Sequence, residues 1–433
     1  MKQGEGGGRP PKKPEILSPA GDFEKLKSAL LFGADAVYFS GKNFGMRSAA
    51  GNFSLGEIEQ ACLYTHARKK KLYLTVNTIP GVRELEALKC YLNELKGLAE
   101  LPDAAICADI GVVALVKETL PALDIHISTQ ANVQNQLSCL AWAEYGAKRI
   151  ILSRELGFDD IRAIKEAVGD KVELECFVHG AMCMAYSGRC FLSNYLAGRD
   201  SNRGACAQPC RWKYSVVEEK RPGQYLPVFE DEGEGGTQLF SSKDLCMVEH
   251  VDDLALSGID AFKIEGRMKS AYYAACITNA YRQALDGFCE TGKMDEGLIQ
   301  RLKGEAESVS RREYGTGYFY SPPHAEPSIC EKPGYIQEKT YLGLCVGFDR
   351  ENALATFEQR NKVELGQKAQ ILSPSRTGDD IQVQNLQDAQ GNPIGSAPHP
   401  GMVFRIKIDE SIKKANGVWR SREIEPGDML RSL

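Results

Sequence analysis

The chain has 433 residues, of which 43% are hydrophobic and 26% are charged, as is typical of globular proteins. Its length exceeds that of one typical domain, so we expect a large domain together with a smaller one. The formal net charge of −5 excludes a strongly basic, indiscriminate binder of polyanions. It leaves room for a local basic face, for example around Arg211 and Lys213.

The N-terminal residues contain no apolar signal core, and no apolar run approaches the length of a membrane span. We therefore expect a cytoplasmic protein that has no membrane partner. In that compartment the fourteen cysteines are expected to be reduced thiols or metal ligands rather than disulfides.

From Glu15 onwards, short apolar runs typical of strands alternate with amphipathic stretches typical of helices. The preceding residues 1–13 are expected to be a disordered lead-in. The apolar runs are EILSPAG, AVYFSG, KLYLTVN, AAICADI, DIHISTQ, RIILSREL, VELECFVHG and AFKIEGR. Eight strands alternating with helices predict a (β/α)8 barrel of the TIM type over residues 14–291. A doubly wound open sheet is the alternative, although no strand leads into a Gly-x-Gly-x-x-Gly turn.

A long segment at residues 181–240 follows the seventh predicted strand and carries four cysteines, Cys183, Cys190, Cys206 and Cys210. In a barrel of this type, the loops after the strands form the active face. Four thiolates can complete a tetrahedral zinc site or a 4Fe-4S cluster. Only Cys206 and Cys210 have the short spacing of a zinc knuckle, so the pattern favours an iron-sulfur cluster. The alternative is that these cysteines are small buried residues.

Polar side chains occupy alternate positions in two apolar strands, where their burial is costly unless they are paired or used. Strand alternation predicts that five of them face the barrel mouth: Glu175, His179, Lys263, Glu265 and Arg267. Residues near the ends of other strands are expected to face the same cavity: Arg47, Asn77, Gln130 and Arg154. Several arginines around one cavity predict an anionic ligand such as a small di-acid, with structural ion pairs as the alternative.

Among these residues, we assign catalytic roles to Glu175, His179 and Glu265, since a histidine could relay protons near neutral pH. Substrate binding is assigned to the remaining six: Arg47, Asn77, Gln130, Arg154, Lys263 and Arg267. A histidine that is hydrogen-bonded to the barrel backbone is the alternative reading of His179.

The pattern changes towards the C-terminal part of the chain. Residues 292–333 are predicted to form a helical, proline-rich bridge, and residues 334–433 contain short alternating strands with Gly and Pro turns. These strands predict a small all-β barrel domain. Such a domain either positions a ligand or caps the larger domain, and we expect it to be separable from the barrel.

Three motifs resemble those of peptidase family U-32: ILSPAGDFEKLKSALLFGADAVYFSG, ECFVHGAMCMAYSGRCFLSNYLAGRDSNRGACAQPCRWKY and FKIEGRMKSAYY. The resemblance covers residues 14–330, and the strands from Gly334 resemble the C-terminal domain of that family. The family was named for collagenase-like proteases, but several members are iron-sulfur proteins of RNA or ubiquinone hydroxylation. Among them, this chain looks most like those that form 5-hydroxyuridine at the tRNA wobble position with prephenate.

The resemblance implies that the four clustered cysteines hold a 4Fe-4S cluster and that tRNA and prephenate are the substrates. Prephenate is a dicarboxylate, which agrees with a cavity lined by arginines. In one ubiquinone-type pattern of the family the fourth cluster ligand lies further downstream, which makes Cys246 the alternative to Cys210. We prefer Cys210, because Cys246 lies in a stretch with the pattern of an amphipathic helix.

Two other functions stay open. One is a peptidase, as the family name suggests, and the other is a non-catalytic iron-sulfur scaffold that binds RNA. The sequence contains no serine nucleophile elbow and no His-Glu-x-x-His motif, so a serine or zinc protease has no support from motifs.

Overall fold

The computed structural model describes residues 12–46, 51–183, 185–212, 242–321, 330, 335–408 and 424–433, and the backbone alone at 216–217 and 225–226. Most of the expected lead-in at residues 1–13 lies outside the described residues. None of the helices in the described ranges is both long and apolar enough to cross a membrane.

The N-terminal two thirds of the chain begin with seven parallel strands that pair in chain order, each of the first six followed by a helix. The strands are β1 (Glu15–Pro19), β2 (Ala36–Ser40), β3 (Lys71–Val76), β4 (Ala104–Cys107), β5 (Asp124–Ile127), β6 (Ala147–Ile151) and β7 (Glu173–Ala181). The helices are α1 (Phe23–Leu31), α2 (Leu55–His66), α3 (Leu85–Lys96), α4 (Ile110–Thr119), α5 (Gln136–Glu144) and α6 (Phe158–Val168).

Local sequence explains where these elements begin. The strands are short and mostly buried along their length, as parallel strands covered by helices require. The Asp22 carboxylate accepts a hydrogen bond from the Lys25 amide at the start of α1. Ser54 and Glu57 form a reciprocal capping box at the start of α2, which satisfies amides that the helix leaves unpaired.

The segment after β7 leads to the strand that closes the barrel. It contains α7 (Leu192–Ala197), β8 (Val216–Val217), β9 (Tyr225–Leu226), β10 (Asp244–Cys246), α8 (Val251–Leu256) and β11 (Ala261–Ile264). Strand β11 pairs in parallel with both β1 and β7, so the described residues form a closed barrel of eight parallel strands. The predicted (β/α)8 fold is confirmed, and the open-sheet alternative is excluded.

The expected amphipathic helix around Cys246 is wrong. Cys246 ends β10, which pairs antiparallel with β7 and places Cys246 opposite His179. The run of three residues is too short to show strand periodicity in the sequence, and the pairing is fixed by a distant strand.

Two helices and a short strand complete the larger domain: α9 (Ala271–Thr291), α10 (Glu296–Glu307) and β12 (Tyr314–Gly315). Strand β12 pairs with β10, so part of the predicted bridge extends the barrel sheet. The proline-rich residues 322–329 lie outside the described residues.

The C-terminal domain is all-β, as predicted. Its strands are β13 (Tyr341–Asp349), β14 (Leu354–Gln359), β15 (Val363–Glu364), β16 (Lys368–Leu372), β17 (Asp379–Gln382), β18 (Gln384–Asp388), β19 (Ser396–Ala397), β20 (Val403–Lys407) and β21 (Met429–Ser432). Seven of them form an antiparallel sheet in the order β17-β16-β21-β13-β14-β20-β18. The curved sheet packs around a core that includes the stacked rings of Phe357 and Phe404.

A buried ion pair joins the C-terminal domain to the barrel helices. Arg431 on β21 is fully buried, and its Nη1 and Nη2 atoms each donate to one oxygen of Glu305 on α10 at 2.6 Å. Arg431 also donates to the Tyr272 hydroxyl on α9 at 3.1 Å. Three residues of the C-terminal domain belong to the same buried apolar cluster as the barrel residues: Tyr341, Leu372 and Met429.

The expectation that the C-terminal domain can be removed without disturbing the barrel is therefore wrong. Its removal would expose apolar surface of the larger core and would leave the Glu305 carboxylate without its partner. The sequence does not reveal this contact, because the two charged residues lie far apart in the chain.

We expect Arg431→Ala to lower the free energy of unfolding by about 3–5 kcal/mol, since it leaves a buried carboxylate uncompensated. Lys362→Ala is the matched control: it breaks an exposed ion pair with Glu364 and should leave the unfolding curve unchanged. Urea unfolding followed by circular dichroism measures both variants. A cost below about 1 kcal/mol for Arg431→Ala would contradict the docking role of this pair.

Candidate active site

A cavity opens at the carboxyl ends of the barrel strands, where barrels of this type carry their active sites. Six of the residues predicted from the sequence line it together: Asn77, Gln130, Arg154, Lys263, Glu265 and Arg267. Cys183, Ser187 and Gly188 of the long segment after β7 line the same cavity. The structure therefore brings the predicted polar residues and the cysteine segment to one place.

The floor of the cavity is built on a buried carboxylate. Glu175 on β7 is fully buried, and its Oε1 atom accepts a hydrogen bond from Lys263 Nζ at 2.8 Å. Its Oε2 atom accepts from Arg149 Nη1 at 3.2 Å. Glu175 thus lies beneath the cavity rather than in it, and it holds Lys263 in place. Burial lowers the pKa of Lys263, while the nearby Glu175 carboxylate partly counteracts that effect.

Arg149 on β6 is a buried residue that the sequence reasoning missed. Its guanidinium contacts Glu15 on β1 and Glu173 on β7, each at 2.7 Å, in addition to Glu175. These contacts link three strands across the barrel interior. The signal was available, because Arg149 alternates with the inward-facing Ile151 in the run RIILSREL.

One wall of the cavity is formed by Tyr38, Glu265 and Arg267. The Tyr38 hydroxyl lies 3.0 Å from the Ile264 carbonyl oxygen and 3.2 Å from Glu265 Oε2, and it can donate to either. Burial and the Glu265 carboxylate raise the pKa of Tyr38 well above its usual value, so the hydroxyl stays protonated. Arg267 is almost fully buried, with Nη1 at 3.5 Å from Thr75 Oγ1. Tyr38 and Thr75 were not among the predicted residues.

The opposite wall carries two buried donors without acceptors. Arg154 donates from Nη1 to the Ala181 carbonyl at 2.7 Å, and its guanidinium lies 4.0 Å from the Phe177 ring centroid. Within the described part of the chain, no acceptor lies within hydrogen-bond reach of Arg154 Nε or of Gln130 Nε2. Gln130 is only 4% exposed. Because unpaired buried donors are costly, this wall suits a ligand that brings acceptor oxygens.

The cysteine segment covers one side of the cavity through a close backbone approach. Gly188 has a φ of +73°, and a side chain there would begin 3.1 Å from Gln130 Nε2. The left-handed backbone favours glycine here, and any side chain would have to displace Gln130 slightly. Cys183 is exposed at the cavity edge, and Cys190, Cys206 and Cys210 are half-buried.

Three of the four cysteines influence one another. Burial raises the pKa of Cys210, Arg211 lowers it, and Cys183 and Cys206 raise it. The Cys206 thiol also lies 3.4 Å from the Gln208 amide, which donates to it. Hydrogen bonds of this kind and a nearby cation suit an anionic iron-sulfur cluster.

Among the described residues, no group of three or more His, Cys, Asp or Glu side chains is arranged to hold a single metal ion. A 4Fe-4S cluster holds its ligand sulfurs farther apart than a single ion does. Four thiols are the donor type that holds a 4Fe-4S cluster, and the assignment of Cys183, Cys190, Cys206 and Cys210 to it stays a prediction.

A bulge in β7 turns His179 away from the cavity. The pairing of β7 with β11 passes directly from Phe177 to His179, so Val178 is an extra residue. An extra residue reverses the alternation of side chains along the strand. Phe177 lines the cavity, while His179 points to the other face of the sheet. The predicted position of His179 at the barrel mouth is therefore wrong.

His179 is buried among three tyrosine rings instead. Its Nε2 atom lies 3.2 Å from the Tyr314 hydroxyl, and its Nδ1 atom lies 3.5 Å from the Tyr281 hydroxyl. The Tyr273 ring is 6.0 Å from the imidazole, centroid to centroid. Burial lowers the pKa of His179 to about 3, so the ring is neutral at physiological pH. These surroundings favour a structural role over a proton relay.

Two predicted residues, Arg47 and Cys246, are not among the described residues that line the cavity. Arg47 lies outside the described residues, so its expected place in the cavity is untested. Cys246 is packed against the larger core beside the buried Tyr281 hydroxyl, and burial raises its pKa to about 12. Cys210, which lies in the same short segment as Cys183, Cys190 and Cys206, stays the predicted fourth ligand.

Comparison with known proteins identifies the family. The family model described as Peptidase family U32 matches residues 21–328, and the model of the Peptidase family U32 C-terminal domain matches residues 337–431. The chain belongs to peptidase family U32. The resemblance inferred from the three motifs is confirmed.

Several known proteins align with this chain over most of its length. The tRNA hydroxylation protein P1 of Bacillus subtilis is 34% identical over 406 residues, which are 94% of each protein. The tRNA hydroxylation protein P of Escherichia coli is 33% identical over 93% of this chain and 95% of its own length. A protein of Porphyromonas gingivalis named Collagenase is 30% identical over 94% of this chain and 97% of its own length.

The buried His179 predicts a pH dependence of stability. Its folded pKa of about 3 lies below the ordinary value of about 6.5, so the unfolded chain takes up the proton first as the pH falls. The contribution of neutral, buried His179 to the free energy of unfolding is complete above about pH 6.5. It is lost as the pH falls towards 3, at up to about 1.4 kcal/mol per pH unit.

His179→Phe should reduce the slope of unfolding free energy against pH between about pH 6.5 and 5. The Tyr281 and Tyr314 hydroxyls keep their backbone acceptors in this variant, at Val178 and Ala306. His399→Phe, at an exposed position, is the control and should keep the wild-type slope. An equal slope in wild type and His179→Phe would mean that the buried ring is not the group responsible.

Proposed function

We propose that this protein hydroxylates tRNA, forming 5-hydroxyuridine at the wobble position with prephenate as co-substrate. One observation carries the proposal: the buried donors of Arg154 and Gln130 lack acceptors in a cavity whose edge carries Cys183. Such a cavity suits an acceptor-rich organic anion beside a redox-active cluster. Relatives named as tRNA hydroxylation proteins, aligned over more than nine tenths of this chain, support tRNA as the substrate.

The charges around the cavity favour an anion. Arg154, Lys263 and Arg267 line it together with one carboxylate, that of Glu265. Glu175 neutralises Lys263 from below, so the two arginines outweigh the single cavity carboxylate. A dicarboxylate such as prephenate offers two groups that guanidinium ions bind through paired hydrogen bonds. The orphaned donors on the Arg154 wall would meet one of those groups.

Lys263 lines the cavity and is held 2.8 Å from the buried Glu175 carboxylate. Its lowered pKa makes it release a proton more readily than an exposed lysine does. The Glu265 carboxylate lies 3.2 Å from the Tyr38 hydroxyl, which can donate to it. This carboxylate keeps the Tyr38 wall of the cavity polar. We propose that Lys263 and Glu265 position the small molecule while Glu175 acts through Lys263.

The four cysteines Cys183, Cys190, Cys206 and Cys210 would hold the 4Fe-4S cluster. When bound, the cluster would supply one-electron redox chemistry at the edge of the cavity. Cys183 belongs to both the cluster set and the cavity lining, so the small molecule and the cluster would be neighbours.

Peptide hydrolysis is the competing function, since one aligned relative is named Collagenase. The described cavity lining includes hydroxyl groups and a thiol but no histidine that could activate them. The geometry of the described residues therefore favours hydroxylation over nucleophilic proteolysis.

The proposal is tested in a strain that lacks the gene, by mass spectrometry of its tRNA nucleosides. Wild type should restore 5-hydroxyuridine, Arg154→Ala should restore little, and Arg162→Ala, at an exposed helix position, should restore it fully. Titration of prephenate by calorimetry should show a ten-fold to hundred-fold loss of affinity for Arg154→Ala, from a lost contact of about 1.5–3 kcal/mol. Normal 5-hydroxyuridine in the deletion strain would refute the function.

The cluster is tested by iron and sulfide content after purification without oxygen. Alanine variants of Cys183, Cys190, Cys206 or Cys210 should each lose iron and sulfide. Cys246→Ala is the matched control and should keep both. Loss of the cluster in Cys246→Ala together with its retention in Cys210→Ala would move the fourth ligand to Cys246. Zinc in place of iron and sulfide would refute the cluster.

A further inference from the structure

Helix α7, in the cysteine segment, presents aromatic side chains to solvent. Phe191, just before the helix, is 81% exposed, and Tyr195, one turn later, is 86% exposed. Leu192 and Leu196 flank them and are also exposed, at 40% and 43%. Large apolar side chains grouped on one short helix mark an interaction surface rather than an ordinary part of the exterior.

The helix is held firmly against the loop that carries two of the cysteines. Ser193 is fully buried, and its hydroxyl donates to the Arg199 carbonyl at 2.7 Å. The same oxygen accepts from the Ala207 amide at 2.9 Å, between Cys206 and Cys210. The exposed rings therefore stand on a fixed support, which lowers the entropy cost of binding a partner.

Helix α7 closely follows a cavity-lining residue in the sequence. Gly188, which lines the cavity and packs on Gln130, precedes Phe191 by three residues. A polymer that rested on Phe191 and Tyr195 would therefore pass close to the cavity mouth.

The charge of this segment differs from that of the whole chain. Residues 185–212 contain four arginines and one aspartate and no lysine or glutamate, which gives a net charge of +3 in a chain of net charge −5. Arg189 and Arg199 are exposed. Arginines interleaved with exposed aromatic rings are the usual composition of surfaces that bind single-stranded nucleic acid.

We propose that Phe191 and Tyr195 form a stacking platform for unpaired RNA bases, with Arg189 and Arg199 contacting the adjacent phosphates. The platform rests on the proposed function, because it would present a neighbouring base to the cavity. The positive surplus disfavours a second copy of the chain as the occupant, because a two-fold contact would place the same positive segment against itself. Stacking tolerates any base, so the platform selects unpaired loops over duplexes rather than a particular sequence.

The test compares the affinity of four proteins, wild type and three double variants, for RNA by fluorescence anisotropy. The probes are a hairpin with an unpaired loop and a fully paired duplex of the same length. Phe191→Ala/Tyr195→Ala should bind the hairpin roughly 5-fold to 150-fold more weakly for each base that loses its stacking partner. Wild type should bind the duplex more weakly than the hairpin. The variant should bind the duplex as tightly as wild type does, since its arginines are intact. Phe191→Trp/Tyr195→Phe should keep the wild-type affinity.

Leu137→Ala/Tyr145→Ala is the matched control, because it removes exposed apolar side chains at the two ends of the α5 region and should change neither affinity. Equal hairpin affinity in wild type and Phe191→Ala/Tyr195→Ala would overturn the platform while leaving the proposed function intact. A wild type that binds neither probe would overturn both. A dimer by light scattering that Phe191→Ala/Tyr195→Ala converts to a monomer with unchanged RNA affinity would instead assign the surface to self-association.

Discussion

The barrel depends on the pairing of one buried carboxylate. Glu175 has no contact with solvent, and it is held between Lys263 on β11 and Arg149 on β6. A buried charge that loses a partner costs about 3–5 kcal/mol, so the three strands must keep the register that brings these groups together. The same register keeps Lys263 in the lining of the ligand cavity. The charge on the cavity floor is therefore set by the barrel itself and not by a loop.

Above this floor, the site combines two parts with different physical properties. The strand ends supply fixed, mutually hydrogen-bonded groups, while the segment after β7 supplies thiols, arginines and exposed rings. The two parts meet where the Gly188 backbone packs directly against the Gln130 side chain. A small anion held by the floor and a polymer held by the segment would then meet at Cys183. Under the proposed function, this division would let one cavity serve two substrates of very different size.

Much of the fold was predictable, because the eight apolar strands alternate with well-capped helices and local sequence signals agree with the final topology. The cavity residues at strand ends were found by the same alternation. His179 was misplaced because the bulge at Val178 has no signature in a single sequence. Arg149 was overlooked although it follows the alternation rule. The docking of the C-terminal domain was missed because Glu305 and Arg431 meet only in the folded chain.

The same ion pair affects how the protein forms during synthesis. Arg431 follows Glu305 by 126 residues. At ordinary translation rates, Glu305 waits about 6–25 s on the ribosome before its partner exists. During that interval all eight barrel strands have been made, but the face of α9 and α10 that β21 will cover is open to water. The nascent barrel thus passes through a stage in which chaperones and proteases can reach this face, and arrival of β21 ends it.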